Sequence, residues 1–190
     1  MTDLPPIGDI QETSIAGAFT VQSYPRFDHR GRFARLFDRD LLRSVHEDRT
    51  IVQVNHSLTR EVGAIRGLHF QCRPHLEAKW VRCLRGRIFD VAVDLRRGST
   101  TFLRHFALEL SSDAANMFLI PEGCAHGFQV LEPDTELLYF HTARYAPEGE
   151  GGVRWDDPRL GINWPLAPTD ISERDRKHQF LTDDFEGLQV

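Results

Sequence analysis

The chain has 190 residues, of which 41% are hydrophobic and 27% charged, and it carries a formal net charge of −5. This composition is typical of a soluble globular protein and differs from that of a disordered chain. The acidic balance gives no global electrostatic reason to bind nucleic acid or an anionic membrane, so a phosphorylated ligand would need a local cluster of Arg and Lys. The length predicts a single domain over residues 1–190.

The lack of a recognisable targeting signal and the pattern of cysteines predict a cytoplasmic location. No apolar run approaches the roughly 20 residues that a membrane span requires, and residues 1–17 lack the basic and apolar regions of a signal peptide. The three cysteines, Cys72, Cys83 and Cys124, are odd in number and lack CxxC spacing. We therefore expect reduced, mostly packed thiols in a cytoplasmic protein, rather than a disulfide framework or a zinc knuckle.

Short runs of alternating β-branched or aromatic residues recur between turn signals along the chain. Strands are predicted at residues 19–24, 53–57, 64–70, 79–84, 88–95, 102–110, 117–120, 127–131 and 136–145. This density of short strands predicts a sandwich or barrel with local, antiparallel order, and residues 85–87 have the character of a tight hairpin turn.

Helical patterns are few. They cover residues 38–46, where Asp38 is a candidate cap, and residues 172–177, where Ser172 is a candidate cap. Residues 147–168 are rich in Gly, Pro and Trp but hold too many large apolar side chains for a free linker. We expect this segment to pack across the mouth of the barrel.

The first segment with chemical potential is RGLHFQ at residues 66–71, which Lys79 follows ten residues after His69. Strand alternation places Arg66 and Leu68 on one face and His69 on the other, unless Gly67 introduces a bulge that re-aims them. Spacing alone leaves open which face meets a cavity. By itself His69 is equally consistent with a structural strand histidine, and Lys79 with a solvated surface charge.

The second segment is IPEGCAHGF at residues 120–128, in which a turn carries His126 into a strand. From local physics alone, His126 could simply cap that turn. Further on, Tyr139 lies in the run ELLYF. An inward aromatic is more often core than catalyst, although a buried tyrosine hydroxyl needs a partner.

Seven segments in order resemble the dTDP-4-dehydrorhamnose 3,5-epimerase family, over about residues 19–175. They are DHRG (28–31), QVNHS (53–57), RGLHFQ (66–71), FDVAVD (89–94), IPEGCAHGF (120–128), WDDP (155–158) and GINWP (161–165). The resemblance implies an all-β cupin fold, a double-stranded β-helix or jelly roll with a few short accessory helices, usually as a homodimer. It also implies epimerisation at C3, C5 or both of a nucleotide-linked 4-keto-6-deoxyhexose in deoxysugar and surface polysaccharide biosynthesis, without cofactor or metal.

The resemblance implies four catalytic positions. His69 matches the general base, and Asp175 matches the carboxylate that orients it and supports its charge. Tyr139 matches the acid that returns a proton to the opposite face of the sugar. Lys79 matches the cation near the C4 oxygen, where negative charge develops in the transition state.

The resemblance also implies the substrate contacts. Matching positions are Arg30 and Arg66 for the diphosphate, Tyr145 for stacking on the base, and Gln53, Asn55, His126 and Glu150 for further contacts. Arg174 replaces a common lysine and keeps its charge. Arg35 replaces a usual glutamate and therefore puts the nucleotide in doubt, so that CDP or GDP is an alternative to dTDP.

Three alternatives remain open at this point. A metal-dependent cupin would use a His-x-His pair with a later Glu and His, but only His69 and His126 are available here, fewer than the three ligands typical of a catalytic site. A noncatalytic sugar-binding cupin would be expected to lose the acid or the base, and both are present. An epimerase that acts at C3 or C5 alone would use similar residues.

Overall fold

The computed structural model describes residues 8–190, and residues 1–7 lie outside that description. The described chain is built mainly of strands. They are β1 (Ile10–Glu12), β2 (Phe19–Gln22), β3 (Arg26–Asp28), β4 (Gly31–Phe33), β5 (Gln53–Thr59), β6 (Ile65–Gln71), β7 (Lys79–Arg85), β8 (Arg87–Asp94), β9 (His105–Ser111), β10 (Asn116–Ile120), β11 (Cys124–Val130), β12 (Thr135–His141) and β13 (Glu150–Gly152). The helices are α1 (Arg43–His46) and α2 (Glu173–Lys177). Neither is long and apolar enough to cross a membrane.

Two sheets face each other and form a jelly roll. One has the order β1-β2-β10-β7-β12-β5, the other has the order β13-β6-β11-β8-β9, and β3 and β4 form a separate hairpin. Neighbouring strands within the sheets pair antiparallel, as the sequence predicts. The strand orders are not sequential, so the chain crosses repeatedly between the two sheets, as in double-sheet jelly rolls.

Period-two alternation separates an inner core from two outer clusters. The inner cluster draws on both sheets, with Val81 and Leu137 from one and Ala92 and Phe128 from the other. The outer face of the six-stranded sheet buries Trp80 in a second cluster. Because successive strand side chains point to opposite faces, Val81 and Trp80 can serve two different cores.

The other outer face is covered by the segment predicted to cross the barrel mouth. Val153 and Leu160 are buried with Val91 in a third cluster, and the Trp164 ring packs edge-on against Phe89 at 6.0 Å. The expectation that residues 147–168 pack across the mouth of the barrel was therefore wrong for most of the segment. Outward-facing apolar side chains on β8 need a cover, and this segment supplies it.

Helix α1 is shorter than the sequence predicts. The Asp38 carboxylate accepts hydrogen bonds from the backbone of Asp40 and Leu41, both at 3.1 Å, so it stabilises a turn before the helix rather than the helix itself. Helix α2 agrees with the prediction. Ser172 is its N-cap and accepts a hydrogen bond from the Asp175 backbone at 3.1 Å.

A bulge in β6 decides which side chains face the space between the sheets. His69 pairs with His126, but Arg66 pairs with Phe128, so β6 has one extra residue there. Gly67 has a φ of +131°, and an added Cβ would lie 2.5 Å from the Gly127 Cα, so only glycine fits. The bulge places Arg66 and His69 on the same inner face.

Candidate active site

A cavity of about 520 Å³ lies between the two sheets. Its walls come from β5, β7 and β12 on one side and from β6 and β11 on the other. Seven residues predicted from the sequence line it, namely Asn55, Arg66, His69, Lys79, His126, Tyr139 and Arg174. The remaining lining is provided by Val54, His56, Ser57, Phe128 and His141.

His69 and Asp175 form a hydrogen-bonded pair at the β6 wall. His69 Nε2 lies 2.8 Å from Asp175 Oδ1, and the Gly67 backbone N–H donates to Oδ2 at 3.2 Å. Although burial acts to raise the pKa of Asp175, the hydrogen bond and charge of His69 hold that pKa well below its usual range. An ionised carboxylate of this kind accepts the Nε2 proton and leaves Nδ1 as the basic nitrogen of His69.

Tyr139 lies on the opposite wall, on β12 of the six-stranded sheet. Its hydroxyl is 3.3 Å from Ser57 Oγ, and its ring stacks on His141 with a centroid separation of 6.0 Å. Burial, which outweighs the Ser57 hydrogen bond, raises the pKa of Tyr139 far above its usual value. The phenol therefore stays protonated and is suited to donate a proton rather than to accept one.

Lys79 is buried on the same wall and is held by a carboxylate that sequence reasoning missed. Its Nζ lies 2.9 Å from Glu77 Oε1, and Glu77 Oε2 lies 2.9 Å from His141 Nδ1. Burial acts to raise the pKa of Glu77, but Lys79 and His141 lower it to about 2. The sequence contained part of the signal for this network, since Tyr139 and His141 lie two residues apart on one face of β12, whereas Glu77 lies just before β7.

His126 lies in β11 rather than in the preceding turn. Its Nε2 is 2.7 Å from Oδ1 of Asp90, a fully buried carboxylate that the sequence analysis did not single out. Asp90 Oδ2 is buried and has no hydrogen-bond partner among residues 8–190. Burial, which outweighs the nearby Asp90, lowers the pKa of His126, so the imidazole is neutral near pH 7. A charged residue between Ile88 and Ala92 on the inner face of β8 was the available signal.

Four predicted residues form a hydrogen-bonded chain next to the cavity. The Gln53 side-chain oxygen Oε1 accepts from the Tyr145 backbone N–H at 3.2 Å, and the Tyr145 hydroxyl donates to Glu150 Oε2 at 2.8 Å. Arg174 Nη1 donates to both Glu150 oxygens at 3.0 Å, and its Nε donates to Asp175 Oδ1 at 3.3 Å. This chain connects the predicted nucleotide-stacking ring to the His69 pair.

Arg30 and Arg35 are not part of the cavity lining. Arg30 lies at the tip of the β3–β4 hairpin, where its side chain is 78% exposed and paired with Asp28. Arg35 Nη1 lies 2.6 Å from Asp38 Oδ2, and its side chain is only 19% exposed. Within this chain the charge of Arg35 is therefore already partnered.

The chain is similar to known proteins over most of its length. A family model described as dTDP-4-dehydrorhamnose 3,5-epimerase matches residues 12–183. The chain belongs to this family. The family and the isomerase class expected from the sequence are thus confirmed.

Relatives within the epimerase family cover most of the chain. A dTDP-4-dehydrorhamnose 3,5-epimerase from Sinorhizobium fredii is 42% identical over 172 residues, which are 90% of this chain and 88% of that protein. A dTDP-6-deoxy-D-glucose-3,5-epimerase from Legionella pneumophila, solved with dTDP-4-keto-L-rhamnose, has a TM-score of 0.89 at 33% identity and covers 96% of this chain and 98% of its own. This structural similarity confirms the cupin-type jelly roll expected from the sequence.

The family also includes enzymes of narrower action. A 3'-monoepimerase from Streptomyces bikiniensis, solved with dTDP-quinovose, has a TM-score of 0.83 at 34% identity and covers 88% of this chain and 85% of its own. Its name shows that the same fold supports epimerisation at one carbon as well as at two. Membership of the family therefore does not determine whether one or two carbons of the sugar are inverted.

Proposed function

We propose that this chain epimerises a dTDP-linked 4-keto-6-deoxyhexose at C3 and C5 in deoxysugar biosynthesis, with single-site epimerisation as the alternative. The observation that carries the proposal is the placement of His69 and Tyr139 on opposite walls of one cavity. Inversion needs a proton to leave one face of the ring and another to arrive at the opposite face. A base and an acid that face each other across the substrate meet this requirement.

His69 is proposed as the base. Its Nδ1 accepts the proton from the carbon next to the keto group, while Nε2 keeps its hydrogen bond to Asp175. The imidazolium formed is then stabilised by a carboxylate 2.8 Å away that is only 2% exposed. Asp175 thus fixes the tautomer before the reaction and stabilises the cation after it.

Lys79 is proposed to stabilise the enolate. As the proton leaves, charge moves to the C4 oxygen, and a fixed ammonium stabilises that charge more strongly in the transition state than in the ground state. Lys79 is only 7% exposed, so Glu77 supplies the counter-charge that a buried cation needs.

Tyr139 is proposed to complete the inversion by giving its proton to the opposite face of the enolate. Its raised pKa keeps this proton available until the enolate has formed. The resulting phenolate and the His69 imidazolium then return to their starting states by proton exchange with solvent. The cycle balances without a cofactor, and we expect chelators to leave turnover intact.

The nucleotide is proposed to bind along the Gln53, Tyr145, Glu150 and Arg174 chain, with Arg66 placed for the diphosphate. Asn55 and His126 line the cavity and are proposed sugar contacts. Because Arg35 is paired with Asp38, its replacement of a glutamate gives little reason to prefer CDP or GDP. We therefore keep dTDP as the expected nucleotide.

A homodimer is proposed from the exposed apolar surface. Phe27 and Phe33 on the β3–β4 hairpin are 73% and 57% exposed. A second subunit that covers this surface could also bring Arg30 to a neighbouring cavity, which its own chain does not do. The single domain over residues 1–190 and the cytoplasmic location stay predictions, and residues 1–7 of that domain lie outside the described chain.

The test is incubation with 4-keto-6-deoxyhexoses on dTDP, UDP, CDP and GDP in heavy water, followed by NMR. We expect deuterium at C3 and C5 with inversion in the wild type. His69→Ala should abolish exchange, whereas Tyr139→Phe should retain some exchange and lose inversion by about 10²-fold or more. Full exchange in His69→Ala would end the mechanism, and equal loss of exchange and inversion in Tyr139→Phe would contradict the two-wall assignment.

A further inference from the structure

His178 is a second histidine beside the His69 pair that the proposed mechanism does not use. Its ring packs edge-on against His69 with a centroid separation of 5.7 Å, and its Nε2 lies 3.8 Å from Asp175 Oδ1. The side chain is 17% exposed, but Nε2 is buried and has no hydrogen-bond partner within residues 8–190. A buried imidazole nitrogen without a partner is costly unless it binds something.

The three side chains offer ligand atoms at the spacing of a metal site. One atom from each of His69, Asp175 and His178 lies within 4.8 Å of the others. In a tetrahedral zinc site with bonds of about 2.0–2.2 Å, ligand atoms are about 3.3–3.5 Å apart. The separations of 2.8 and 3.8 Å from Asp175 Oδ1 to His69 and His178 lie on either side of that value. Small side-chain shifts would therefore suffice.

The surroundings of the cluster also suit a metal. Two imidazoles and a carboxylate form a donor set typical of Zn²⁺. The Gly67 N–H holds Asp175 Oδ2 at 3.2 Å, which orients the carboxylate and leaves Oδ1 toward the two histidines. Hydrogen bonds of this kind to a ligating carboxylate orient it toward the ion.

We propose that His69, Asp175 and His178 form an inhibitory site for a divalent transition metal of the Zn²⁺ type. The ion would occupy the catalytic pair and so prevent His69 from accepting the substrate proton. Binding of the ion is independent of the reaction, while its inhibitory effect rests on the proposed function.

Arg174 is the competitor of the ion. Its Nη2 lies 3.0 Å from His69 Nε2, and its Nε lies 3.3 Å from Asp175 Oδ1, so the guanidinium occupies space next to both ligand atoms. These contacts coexist with two 3.0 Å bonds from Nη1 to Glu150, so entry of the ion would require the guanidinium to turn away from His69 and Asp175. The site therefore has two exclusive states, one with Arg174 inserted and one with the metal bound.

Zn²⁺ titration of the metal-depleted full-length protein against a chromophoric chelator tests the site directly. We expect one ion per chain in the wild type and at least tenfold weaker binding in both His178→Ala and His178→Gln, because even outer-sphere changes cost about 10- to 100-fold. His105→Ala is the matched control, since His105 starts β9 at the far edge of the sheet from β6. Arg174→Gln should bind more tightly. Wild-type affinity in both His178 variants, confirmed as folded by circular dichroism, would overturn the proposal.

A second measurement separates this inference from the proposed function. Zn²⁺ should suppress deuterium exchange in the wild type, EDTA should restore it, and His178→Gln should need at least tenfold more Zn²⁺ for the same suppression. An active enzyme whose rate of deuterium exchange does not change with Zn²⁺ would contradict the inhibitory site but not the proposed function. A metal-free wild type that binds Zn²⁺ through His178 but has no epimerase activity would contradict the proposed function and still support the metal site.

Discussion

Replacement of Asp175 by asparagine tests the proposed base more sharply than removal of the base itself. In the wild type, Oδ1 accepts from His69 Nε2 at 2.8 Å and Oδ2 accepts from the Gly67 N–H at 3.2 Å, so both acceptor atoms are in use. Asparagine has one oxygen and one NH₂ group. If its oxygen stays with Gly67, the NH₂ group faces Nε2 and requires a lone pair there.

The proton of the neutral ring then moves to Nδ1, the nitrogen that must accept the substrate proton. Arg174 Nη2, 3.0 Å from Nε2, would stabilise this wrong tautomer further. Loss of the buried charge also removes the stabilisation of the imidazolium. Comparable tautomer reversal in the Ser-His-Asp system costs about 10⁴-fold, so we expect Asp175→Asn to slow exchange by about 10³- to 10⁴-fold, or about 4–5.5 kcal/mol.

The assay is the rate of deuterium entry into the 4-keto sugar, followed by NMR at matched protein concentration. Asp156→Asn is a suitable control, because Asp156 pairs with Arg154 at 2.7 Å and does not line the cavity. The control should exchange at the wild-type rate. An Asp175→Asn rate within tenfold of wild type would show that the carboxylate neither fixes the tautomer nor supports the charge.

Three further variants probe the groups around this pair. Since the folded-state pKa of Glu77 is about 2 against an ordinary value of 4.5, its ionised form stabilises the fold by about 3 kcal/mol above pH 4.5. That contribution fades as the pH falls from 4.5 toward 2. The difference in unfolding free energy between wild type and Glu77→Gln, measured by urea titration, should therefore become smaller below pH 4.5. A difference that stays constant with pH would refute the pairing. Arg35→Glu should leave the order of kcat/KM across dTDP, UDP, CDP and GDP sugars unchanged, and a tenfold reordering would show that Arg35 reads the nucleotide. Asp90→Asn should lower the pKa of Tyr139 in an ultraviolet titration, because Asp90 is one of the charges that raise it; an unmoved titration would exclude that influence.

Strands were predictable because their signal is local. Each of the nine predicted runs corresponds to a strand, although β11 begins at Cys124 and so takes in His126, which the sequence had placed at a turn. The three-residue strands β1, β3, β4 and β13 were missed because so short a segment carries no alternation. The conformation of β13 also depends on a partner distant in sequence, since Glu150 pairs with Gln71.

The site was predictable where a short segment contained it and not where two distant segments meet. His69, Lys79 and Tyr139 lie in distinctive runs, and all three line the cavity. His178 carries no local signal, because its relevance comes from a contact with Asp175 that only the folded chain creates. The orientation of His69 was left open for a similar reason, since a bulge depends on the pairing of two strands.

The bulge at Gly67 determines which side chains of β6 face the cavity. With the extra residue, His69 and Arg66 fall three positions apart on the inner face, and Leu68 joins the outer apolar cluster. If the bulge could not form and the length stayed the same, regular alternation would put Arg66 and His69 on opposite faces, so that Leu68 would face the substrate and the imidazole would enter the apolar cover. Substitutions elsewhere in β6 that keep Gly67 would leave His69 facing the substrate, whereas replacing Gly67 would remove the bulge and with it the placement of the base.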